Sequence, residues 1–318
     1  VKPQFEAGRS EVSRGRGVIT DPVVWERVRG EVAELTSGRV FLDAEVGRIL
    51  NALRELERWA HKGVAGHFDA DGWYDYHERF AQPLAALLGA EASEVVAMNS
   101  LTVNLHLMLV SFFKPQGERC RILIERDAFP SDRFAVQSQL AFHGLDPIDD
   151  LIELAPDATG RLTADALDAA LAAEAGRVAL VLLPGVQYLT GEAIDLAACA
   201  RVVRQHGARL GLDLAHAIGN LALELRDSEP DFAVWCSYKY LNAGPGAIGG
   251  CFVNRQWHRD AELPRFTGWW GHDKSSRFAP AGAFLPTASA EAWQLSNPPI
   301  LAIAHLEASL PLFTAGGI

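Results

Sequence analysis

Short apolar runs alternate with segments of helical periodicity between residues 79 and 241 of the chain. The apolar runs predict buried strands at residues 95–98, 121–124, 151–154, 178–183, 208–212 and 232–236. The segments between them predict helices at residues 79–88, 163–175 and 194–206, and two further helices that end near residues 113 and 142. Continuous apolar strands that alternate with helices are typical of a parallel sheet covered on both faces. We therefore predict an α/β fold with a mostly parallel sheet and helices on both faces.

The N-terminal part follows a different pattern. Residues 1–40 are rich in Arg and Gly and have little periodicity, which predicts an extended or loosely ordered arm. Residues 49–59 place Leu50, Leu53, Leu56 and Trp59 at helical spacing, which predicts an amphipathic helix. A polar, aromatic loop that contains His67 follows at residues 63–73.

Polar and aromatic side chains follow five of the predicted strands. They lie at Ser100 and Thr102 and in residues 129–132, 184–190, 213–216 and 237–239. In a parallel sheet, ligands bind beyond the carboxyl ends of the strands. The sequence therefore predicts one binding site at this edge of the sheet.

Lys239 and Asp213 are the candidate chemical groups of this site. Lys239 lies between two tyrosines, after a buried strand and before a Gly/Pro turn, and Asp213 ends another apolar strand. Desolvation lowers the pKa of a lysine amine toward the value that a nucleophile needs. Pyridoxal phosphate requires this pair, a lysine for its aldehyde and a carboxylate for its pyridine nitrogen.

The other polar residues have structural interpretations as well. Ser100 and Thr102 can offer an anion site or act as ordinary helix caps, and residues 130–132 have the composition of a helix start. Asp213 and His216 have a spacing seen in metal sites, but further ligands at suitable spacing are lacking, so we predict no metal.

Composition, net charge and cysteine content limit the classes of protein to which the chain can belong. The 318 residues are 49% hydrophobic and 22% charged, which is typical of a globular protein that binds no membrane. A formal net charge of −11 argues against a nucleic-acid partner. Four scattered cysteines and the lack of a signal-peptide pattern predict a cytoplasmic protein with reduced thiols.

Seven segments together resemble the kynureninase family of pyridoxal-phosphate enzymes, in that family's order. They are residues 98–106 (MNSLTVNLH), 129–132 (FPSD), 185–191 (GVQYLTG), 213–217 (DLAHA), 235–242 (WCSYKYLN), 268–272 (GWWGH) and 296–299 (SNPP). The likeness extends from about residue 59 to the C-terminus. It implies the large domain of fold type I pyridoxal-phosphate enzymes and a homodimer with its active site at the subunit boundary.

The resemblance also implies roles for individual residues. Lys239 becomes the Schiff-base lysine, with Asp213 and Tyr238 as the other catalytic candidates. The implied cofactor contacts are Leu101, Thr102, Phe129, Ser131, Asp132, Asp213, His216, Tyr238, Lys239, Trp269 and Asn297. In this family the positions of Trp269 and Asn297 serve the neighbouring subunit's site. The implied substrate contacts are His67, His272, Ser296 and Asn297.

The implied reaction is hydrolysis of the small molecule L-kynurenine, or of 3-hydroxykynurenine, to an anthranilate and L-alanine. This step belongs to tryptophan degradation by the kynurenine pathway, which feeds NAD biosynthesis. By the same resemblance, His67 and the Ser296–Asn297 pair match positions near the aryl end of the substrate in family members that act on 3-hydroxykynurenine. Polar groups there can hydrogen-bond a ring hydroxyl, so we expect a preference for 3-hydroxykynurenine.

Two departures from the family pattern accompany the likeness. Residues 41–47 (FLDAEVG) stand where the family has a Gly-Asn-Ser-Leu-Gly segment, and this part is expected to be shortened. The small C-terminal domain, which carries the family's carboxylate-binding arginine, is expected to be absent or only begun. We predict an arm and helix at residues 1–78, a cofactor-binding large domain at 79–285, and the start of a linker helix at 286–318.

Two alternatives to this activity are open. One is another fold type I enzyme, such as a desulfurase or an aminotransferase, although none of the four cysteines lies in an obvious mobile loop. The other is a truncated homologue that binds pyridoxal phosphate with little turnover.

Overall fold

The computed structural model describes residues 39–157, 159–280 and 282–315. The arm predicted for the first forty residues lies almost entirely outside this part of the chain. Helix α1 (Arg39–Lys62) opens the described part and is followed by 3₁₀ helices at Gly63–His67 and Tyr76–Phe80. Helix α2 (Ala81–Leu88) ends at Gly89, which adopts the left-handed conformation that favours glycine.

An alternation of strands and helices follows, close to the predicted positions. Its members are β1 (Val95–Ala97), α3 (Leu101–Phe112), β2 (Arg121–Glu125), α4 (Pro130–Phe142), β3 (Leu151–Leu154), α5 (Ala164–Ala173), β4 (Val178–Pro184), α6 (Leu196–Gln205), β5 (Arg209–Asp213), α7 (Leu225–Ser228), β6 (Phe232–Cys236) and β7 (Gly249–Val253). Thr163 and Asp195 cap α5 and α6 through their side chains.

The strands form a seven-stranded sheet within the described residues, in the order β1-β7-β6-β5-β4-β2-β3. The neighbours from β3 to β6 are parallel, whereas β7 is antiparallel to both β6 and β1. The prediction of a mostly parallel sheet is confirmed. Strand β7 escaped prediction because its five residues include two glycines and follow a Gly/Pro turn.

Hydrophobic cores lie on both faces of the sheet. One core includes Leu105, Phe112 and Val136 from α3 and α4, and the other includes Leu167 and Val203 from α5 and α6. Phe112 stacks on Phe232 of β6 with ring centroids 5.2 Å apart. Helices therefore cover both faces, as predicted.

The chain after the sheet returns to α1. Short 3₁₀ helices at Trp269–Gly271 and Ala290–Trp293 lead to α8 (Ile300–Ile303) and α9 (Leu306–Ala315), which pack against α1. An ion pair between Arg54 and Glu307 joins α1 to α9. The predicted division of the chain into domains stays a prediction.

The helix predicted at residues 49–59 forms within α1, but the predicted apolar stripe is not its buried side. Leu50, Leu53, Leu56 and Trp59 are 39–62% exposed, whereas Glu55 on the same helix is only 1% exposed. Glu55 accepts hydrogen bonds from Trp73 Nε1 at 2.7 Å and from Arg58 at 2.8 Å. A buried carboxylate needs such partners, so this network sets which side of α1 faces inward.

The described helices include none that is both long enough and apolar enough to cross a membrane. The four cysteines are free, and three of them, Cys199, Cys236 and Cys251, are buried.

Candidate active site

Lys239 lies in a tight turn immediately after β6. Asn242 N donates to Lys239 O at 3.0 Å, and Ala243 N donates to Ser237 O at 2.9 Å. Asn242 itself has a positive φ of 53°, a conformation that asparagine tolerates better than most residues. Arg48 of α1 donates to Asn242 O at 2.6 Å, so α1 supports the turn that carries the lysine.

The lysine faces residues from two other strand ends. Its Nζ lies 5.3 Å from the centre of the Phe129 ring, which follows β2. Phe129 also contacts Tyr188, in the segment after β4, with ring centroids 5.3 Å apart and near-perpendicular planes. The structure thus brings together the carboxyl ends of β2, β4 and β6, as predicted from the order of elements.

Two buried carboxyl groups meet beside the lysine. Asp213, at the end of β5, and Asp132, in the first turn of α4, are both less than 10% exposed and share a hydrogen bond. A hydrogen bond between two carboxyls requires a proton on one of them. Burial, followed by the charge of Asp213, raises the pKa of Asp132 well above its ordinary value, although Lys239 opposes this shift. The raised pKa favours the protonated form of Asp132.

The two carboxyl groups differ in their hydrogen-bond partners. Asp213 Oδ1 accepts a hydrogen bond from Ala215 N at 2.6 Å, whereas Asp132 Oδ1 is buried without a hydrogen-bond partner in the described part of the chain. The site thus offers the hydrogen-bonded carboxyl group of Asp213 beside the buried carboxyl group of Asp132.

The first turn of α3 forms a site suited to an anion. Ser100 makes no side-chain capping hydrogen bond, so it does not occupy the N–H groups of this turn. Thr102 Oγ1 lies 2.8 Å from Ser131 Oγ, which brings hydroxyls from α3 and α4 together. A Cβ atom at Gly249 would lie 3.1 Å from Leu101 N, so glycine there allows β7 to approach the helix start closely. Such N–H groups and hydroxyls are typical ligands of a phosphate.

Two further predicted contacts flank the lysine. Tyr238 is half exposed and neighbours Cys236. Burial, followed by the neighbouring Cys236, raises the pKa of Tyr238 to about 12, so its hydroxyl keeps its proton at neutral pH. His216 contacts Tyr240 edge-on, with ring centroids 6.1 Å apart. Ser237 is fully buried, and its hydroxyl has no hydrogen-bond partner among the described residues.

Trp269 and His67 belong to a separate aromatic cluster. Phe278 contacts both Trp269, at 5.2 Å, and Phe68, at 6.0 Å, and Phe68 lies beside His67. Trp269 Nε1 donates to Arg277 O at 2.7 Å, and His67 Nδ1 lies 3.2 Å from Val64 O.

The remaining substrate candidates also make local contacts. His272 bonds to Ser276 and Leu285, and Ser296 donates to Asn297 Oδ1 at 3.2 Å in an exposed segment. Within the described residues, no hydrogen bond, ion pair or ring contact joins these candidates or the Trp269 cluster to the Lys239 group. These candidates therefore lie outside the sequence neighbours and direct contacts of Lys239 within the described part of one chain.

The sequence analysis missed Glu125, the last residue of β2. It is 3% exposed and has one carboxyl oxygen, Oε2, without a hydrogen-bond partner among the described residues. Burial, followed by the charges of Asp213 and Asp127, raises the pKa of Glu125 to about 8. An acidic residue at the end of a strand is usually exposed to solvent. The sequence does not reveal that this end of β2 is buried in the folded chain.

The shifted pKa of Glu125 predicts a pH-dependent stability. The folded chain binds this proton more tightly than the unfolded chain, whose glutamate titrates near 4.5. The stabilisation is fully present below that value and is lost as the pH rises through about 8, with a total on the order of 4 kcal/mol. In urea unfolding from about pH 5 to about pH 9, Glu125→Gln is expected to gain stability relative to the wild type. A difference that stays constant with pH would contradict the shift.

A comparison with protein families places this geometry in a known group. The model of the family described as aminotransferase class-V matches residues 49–275, which include Phe129, Asp213 and Lys239. The chain belongs to the aminotransferase class-V family. Membership agrees with the mostly parallel sheet and with the lysine that follows β6.

The curated relatives of this class-V chain include kynureninases. The chain is 54% identical over 265 residues to the kynureninase of Stenotrophomonas maltophilia and 56% identical to that of Xanthomonas campestris pv. campestris. Each match covers 83% of this chain and 62% of the relative. The match thus spans less than two thirds of the length of these relatives.

Solved structures support the class-V fold. The cystine C-S lyase C-DES matches with a TM-score of 0.69 at 20% identity, covering 85% of this chain and 68% of that one. A cysteine desulfurase from Thermococcus onnurineus matches with a TM-score of 0.65 at 18% identity, covering 84% of this chain and 64% of that one. At such identities the likeness establishes the fold alone.

Proposed function

We propose that this chain is a pyridoxal-phosphate-dependent hydrolase that cleaves L-kynurenine, or 3-hydroxykynurenine, to an anthranilate and L-alanine in tryptophan degradation. The observation that carries the proposal is the meeting of Lys239 and Asp213 at one edge of the sheet, through Phe129 and Asp132. The identity of more than half of the aligned residues to kynureninases supports the substrate class.

The residues at this edge fit pyridoxal phosphate. Lys239 would hold the aldehyde, Asp213 the pyridine nitrogen, and the start of α3 with Thr102 and Ser131 the phosphate. The buried, unpartnered atoms Asp132 Oδ1 and Ser237 Oγ are further polar groups that a bound molecule can satisfy. When bound, the cofactor supplies an electron sink for the substrate's carbanion.

The chain's own residues move and hold the protons. Lys239 Nζ is the candidate general base for the proton on the substrate's alpha carbon. The raised pKa of Asp132 favours a proton on that carboxyl group over a second negative charge in the site. Tyr238, whose raised pKa keeps its hydroxyl protonated, is a hydrogen-bond donor to the phosphate or in a proton relay.

Product fluorescence tests the activity directly. Protein with pyridoxal phosphate is expected to release anthranilate from L-kynurenine and 3-hydroxyanthranilate from 3-hydroxykynurenine, whereas heat-denatured protein with the cofactor is not. Release of neither product by a protein that binds the cofactor would overturn the proposal. It would favour the alternative, a homologue that binds pyridoxal phosphate with little turnover.

The cysteines argue against a desulfurase. Cys236 is the cysteine beside Lys239, but it is 2% exposed, and burial raises the pKa of its thiol. A nucleophilic thiol needs the opposite shift and an accessible position. Cys120 immediately precedes β2 and so lies at the other end of that strand from Glu125.

We further propose that two copies of the chain form a homodimer with shared active sites. The support is the separation of Trp269 and Asn297 from Lys239 within one chain, together with the resemblance that assigns both to the neighbouring subunit's site. In a symmetric dimer each site would then take its lysine from one copy and its tryptophan from the other.

Mixing two inactive variants tests this arrangement. Lys239→Ala and Trp269→Ala are each expected to lose activity, and their hybrid dimer would contain one site with both residues intact. Unfolding and refolding the two proteins together is expected to restore about a quarter of the wild-type activity, because half of the dimers are hybrids with one intact site. Recovery of no activity from dimers that do exchange subunits would contradict shared sites.

We propose a preference for 3-hydroxykynurenine over kynurenine. His67 and Ser296 supply polar groups that can pair with the ring hydroxyl, and a site built for such a hydroxyl disfavours the analogue without it. The expected ratio of kcat/KM values is about tenfold or more in favour of the 3-hydroxy form. Equal values for the two substrates would remove the preference.

The reaction is proposed to take place in the cytoplasm. All four cysteines are free thiols, which fits a reducing compartment. Cell fractionation tests this proposal. We expect the activity in the cytoplasmic fraction of cells that produce the chain.

A further inference from the structure

His77 is a buried histidine whose ring nitrogens have no hydrogen-bond partner. It lies in the 3₁₀ helix Tyr76–Phe80 and is 2% exposed, and among the described residues neither Nδ1 nor Nε2 has a hydrogen-bond partner. A neutral imidazole carries one donor and one acceptor, so burial of this kind leaves both of them unsatisfied. Because an unsatisfied buried polar group costs free energy, the ring is a candidate ligand for a bound group.

Two carboxyl groups converge on this ring. Glu291, in the 3₁₀ helix Ala290–Trp293, places its Oε1 at 3.5 Å from His77 Nε2. Glu78 follows His77 in the chain, and one ligand atom from each of the three residues lies within 4.8 Å of the other two. Two donors that bind one tetrahedral ion at about 2.0–2.1 Å are about 3.3–3.4 Å apart. The separation of Nε2 and Oε1 is therefore close to that of two ligands of a single metal ion.

The charges of this group favour a cation. The side chain of Glu291 forms an ion pair with His77, which is a counter-charge only when the ring is protonated. Lys274 Nζ donates to Glu78 Oε1 at 2.6 Å and also pairs with Asp75, which leaves Glu78 a second carboxyl oxygen. A divalent cation would bind the lone pair of a neutral ring and balance the charge of Glu291 at the same time.

The types of ligand select the ion. Imidazole nitrogen suits Zn²⁺ and the neighbouring transition metals, whereas Mg²⁺ and Ca²⁺ prefer oxygen ligands alone. One histidine and two glutamates match a zinc site with three protein ligands, in which water takes the fourth position. Glu78 is exposed and lines a surface cavity of about 500 Å³, so an ion and its water have a path to the group.

The group joins two segments that are distant in the sequence. The ring of His77 contacts that of Trp270 edge-on, with centroids 6.2 Å apart. The short helix that carries Glu291 contacts the helix Trp269–Gly271. An ion bound to both His77 and Glu291 would therefore fasten residues 76–80 to the part of the chain that carries Trp269.

We propose that His77, Glu78 and Glu291 form a binding site for a divalent transition-metal ion, with Zn²⁺ as its best match. The sequence predicted no metal at Asp213 and His216, and this group lies elsewhere and has no local spacing motif, because Glu291 comes from the other end of the described chain. The inference does not depend on the proposed function, since metal binding is a property of the chain itself.

Zinc binding to the full chain provides the test. After removal of metals with a chelator, the wild type is expected to bind about one Zn²⁺ per chain in equilibrium dialysis, and to bind Mg²⁺ at least about a hundredfold more weakly. Glu291→Gln removes a charged ligand at nearly constant size and is expected to raise the Kd for Zn²⁺ by at least about tenfold. Glu118→Gln, at an exposed glutamate before β2, is the matched control and is expected to leave this Kd unchanged.

Thermal unfolding provides the second measurement. Zn²⁺ at about a hundredfold excess over its wild-type Kd is expected to raise the Tm of the wild type by about 5 °C, and that of Glu291→Gln by about half as much or less. If Glu291→Gln does not fold, Glu78→Gln changes an exposed ligand of the same group and is expected to raise the Kd likewise. Absence of bound Zn²⁺, or a Kd in the folded ligand variant equal to that of the wild type, would overturn the proposal and leave His77 and Glu291 as an ion pair.

Discussion

Replacing Lys239 by alanine is expected to reduce product release by at least about a thousandfold. The amine has two tasks in the proposed reaction, as the attachment point of the cofactor and as the base for the alpha proton, and general base catalysis alone contributes about 10²–10⁴-fold. Within the described residues, Lys239 is the lysine whose Nζ lies over Phe129 at the carboxyl edge of the sheet. Fluorescence assays of both products, at saturating cofactor, measure the loss of activity.

Lys114→Ala is the matched control for this substitution. Lys114 follows α3, is exposed, and donates to Glu262 O at 3.0 Å. Its removal is expected to change the rate by less than about twofold, as for a surface substitution. A Lys239→Ala protein that retains more than about a tenth of the wild-type rate would exclude Lys239 from both tasks.

Replacing Asp213 by asparagine is expected to lower kcat by about a hundredfold. In the proposed site this carboxylate would stabilise the protonated pyridine nitrogen of the bound cofactor, without which the ring would be a poor electron sink. Asp132→Asn is the matched substitution at the neighbouring carboxyl. Since the raised pKa of Asp132 favours its neutral form, the neutral amide is expected to cost at least about tenfold less than the change at Asp213.

The decisive outcome is which of the two variants, Asp213→Asn or Asp132→Asn, loses more of the wild-type kcat. Steady-state kinetics of both variants, with the cofactor saturating, give kcat without interference from weakened cofactor binding. A larger loss in Asp132→Asn than in Asp213→Asn would reverse the protonation assignment of the pair. Circular dichroism and thermal unfolding of each variant show whether the fold has been preserved.

Much of the large sheet could be predicted from the sequence because its central strands are continuous apolar runs. β4 and β6 are buried along nearly their whole length, which is what a sheet covered on both faces requires. β7 could not be predicted because Gly249 and Gly250 have low strand propensity. A Cβ atom at Gly250 would collide with the ring of Trp235, so the glycine is required by packing that the local sequence does not reveal.

The inward face of α1 was predicted wrongly. Periodicity identifies the apolar stripe of a helix, but it does not identify the partner that covers the stripe. Here Glu55 and Trp73, 18 positions apart, form a buried hydrogen bond that fixes the helix with Leu50 and Leu53 outward. Tertiary contacts of this kind override a local hydrophobic pattern.

The sequence located the candidate site through the order of strand ends and through its resemblance to a known family. The sequence alone could not predict which carboxyl groups lie close to one another. Glu125, Asp132 and Asp213 come from different segments and approach one another only once β2 and β5 have taken their places on either side of β4. The raised pKa values of Glu125 and Asp132 depend on burial and on the distances between these carboxyl groups, which are properties of the folded chain.

The most direct test of the central claim, that Lys239 carries the cofactor, is peptide mass spectrometry after borohydride reduction of the protein saturated with pyridoxal phosphate. Reduction fixes the link between an amine and the cofactor's aldehyde, so the modified residue can be read from the peptide masses. We predict the pyridoxyl group on Lys239 and its loss in the Lys239→Ala protein. A pyridoxyl group on a different lysine, or none on a protein that is folded and saturated with cofactor, would contradict the claim.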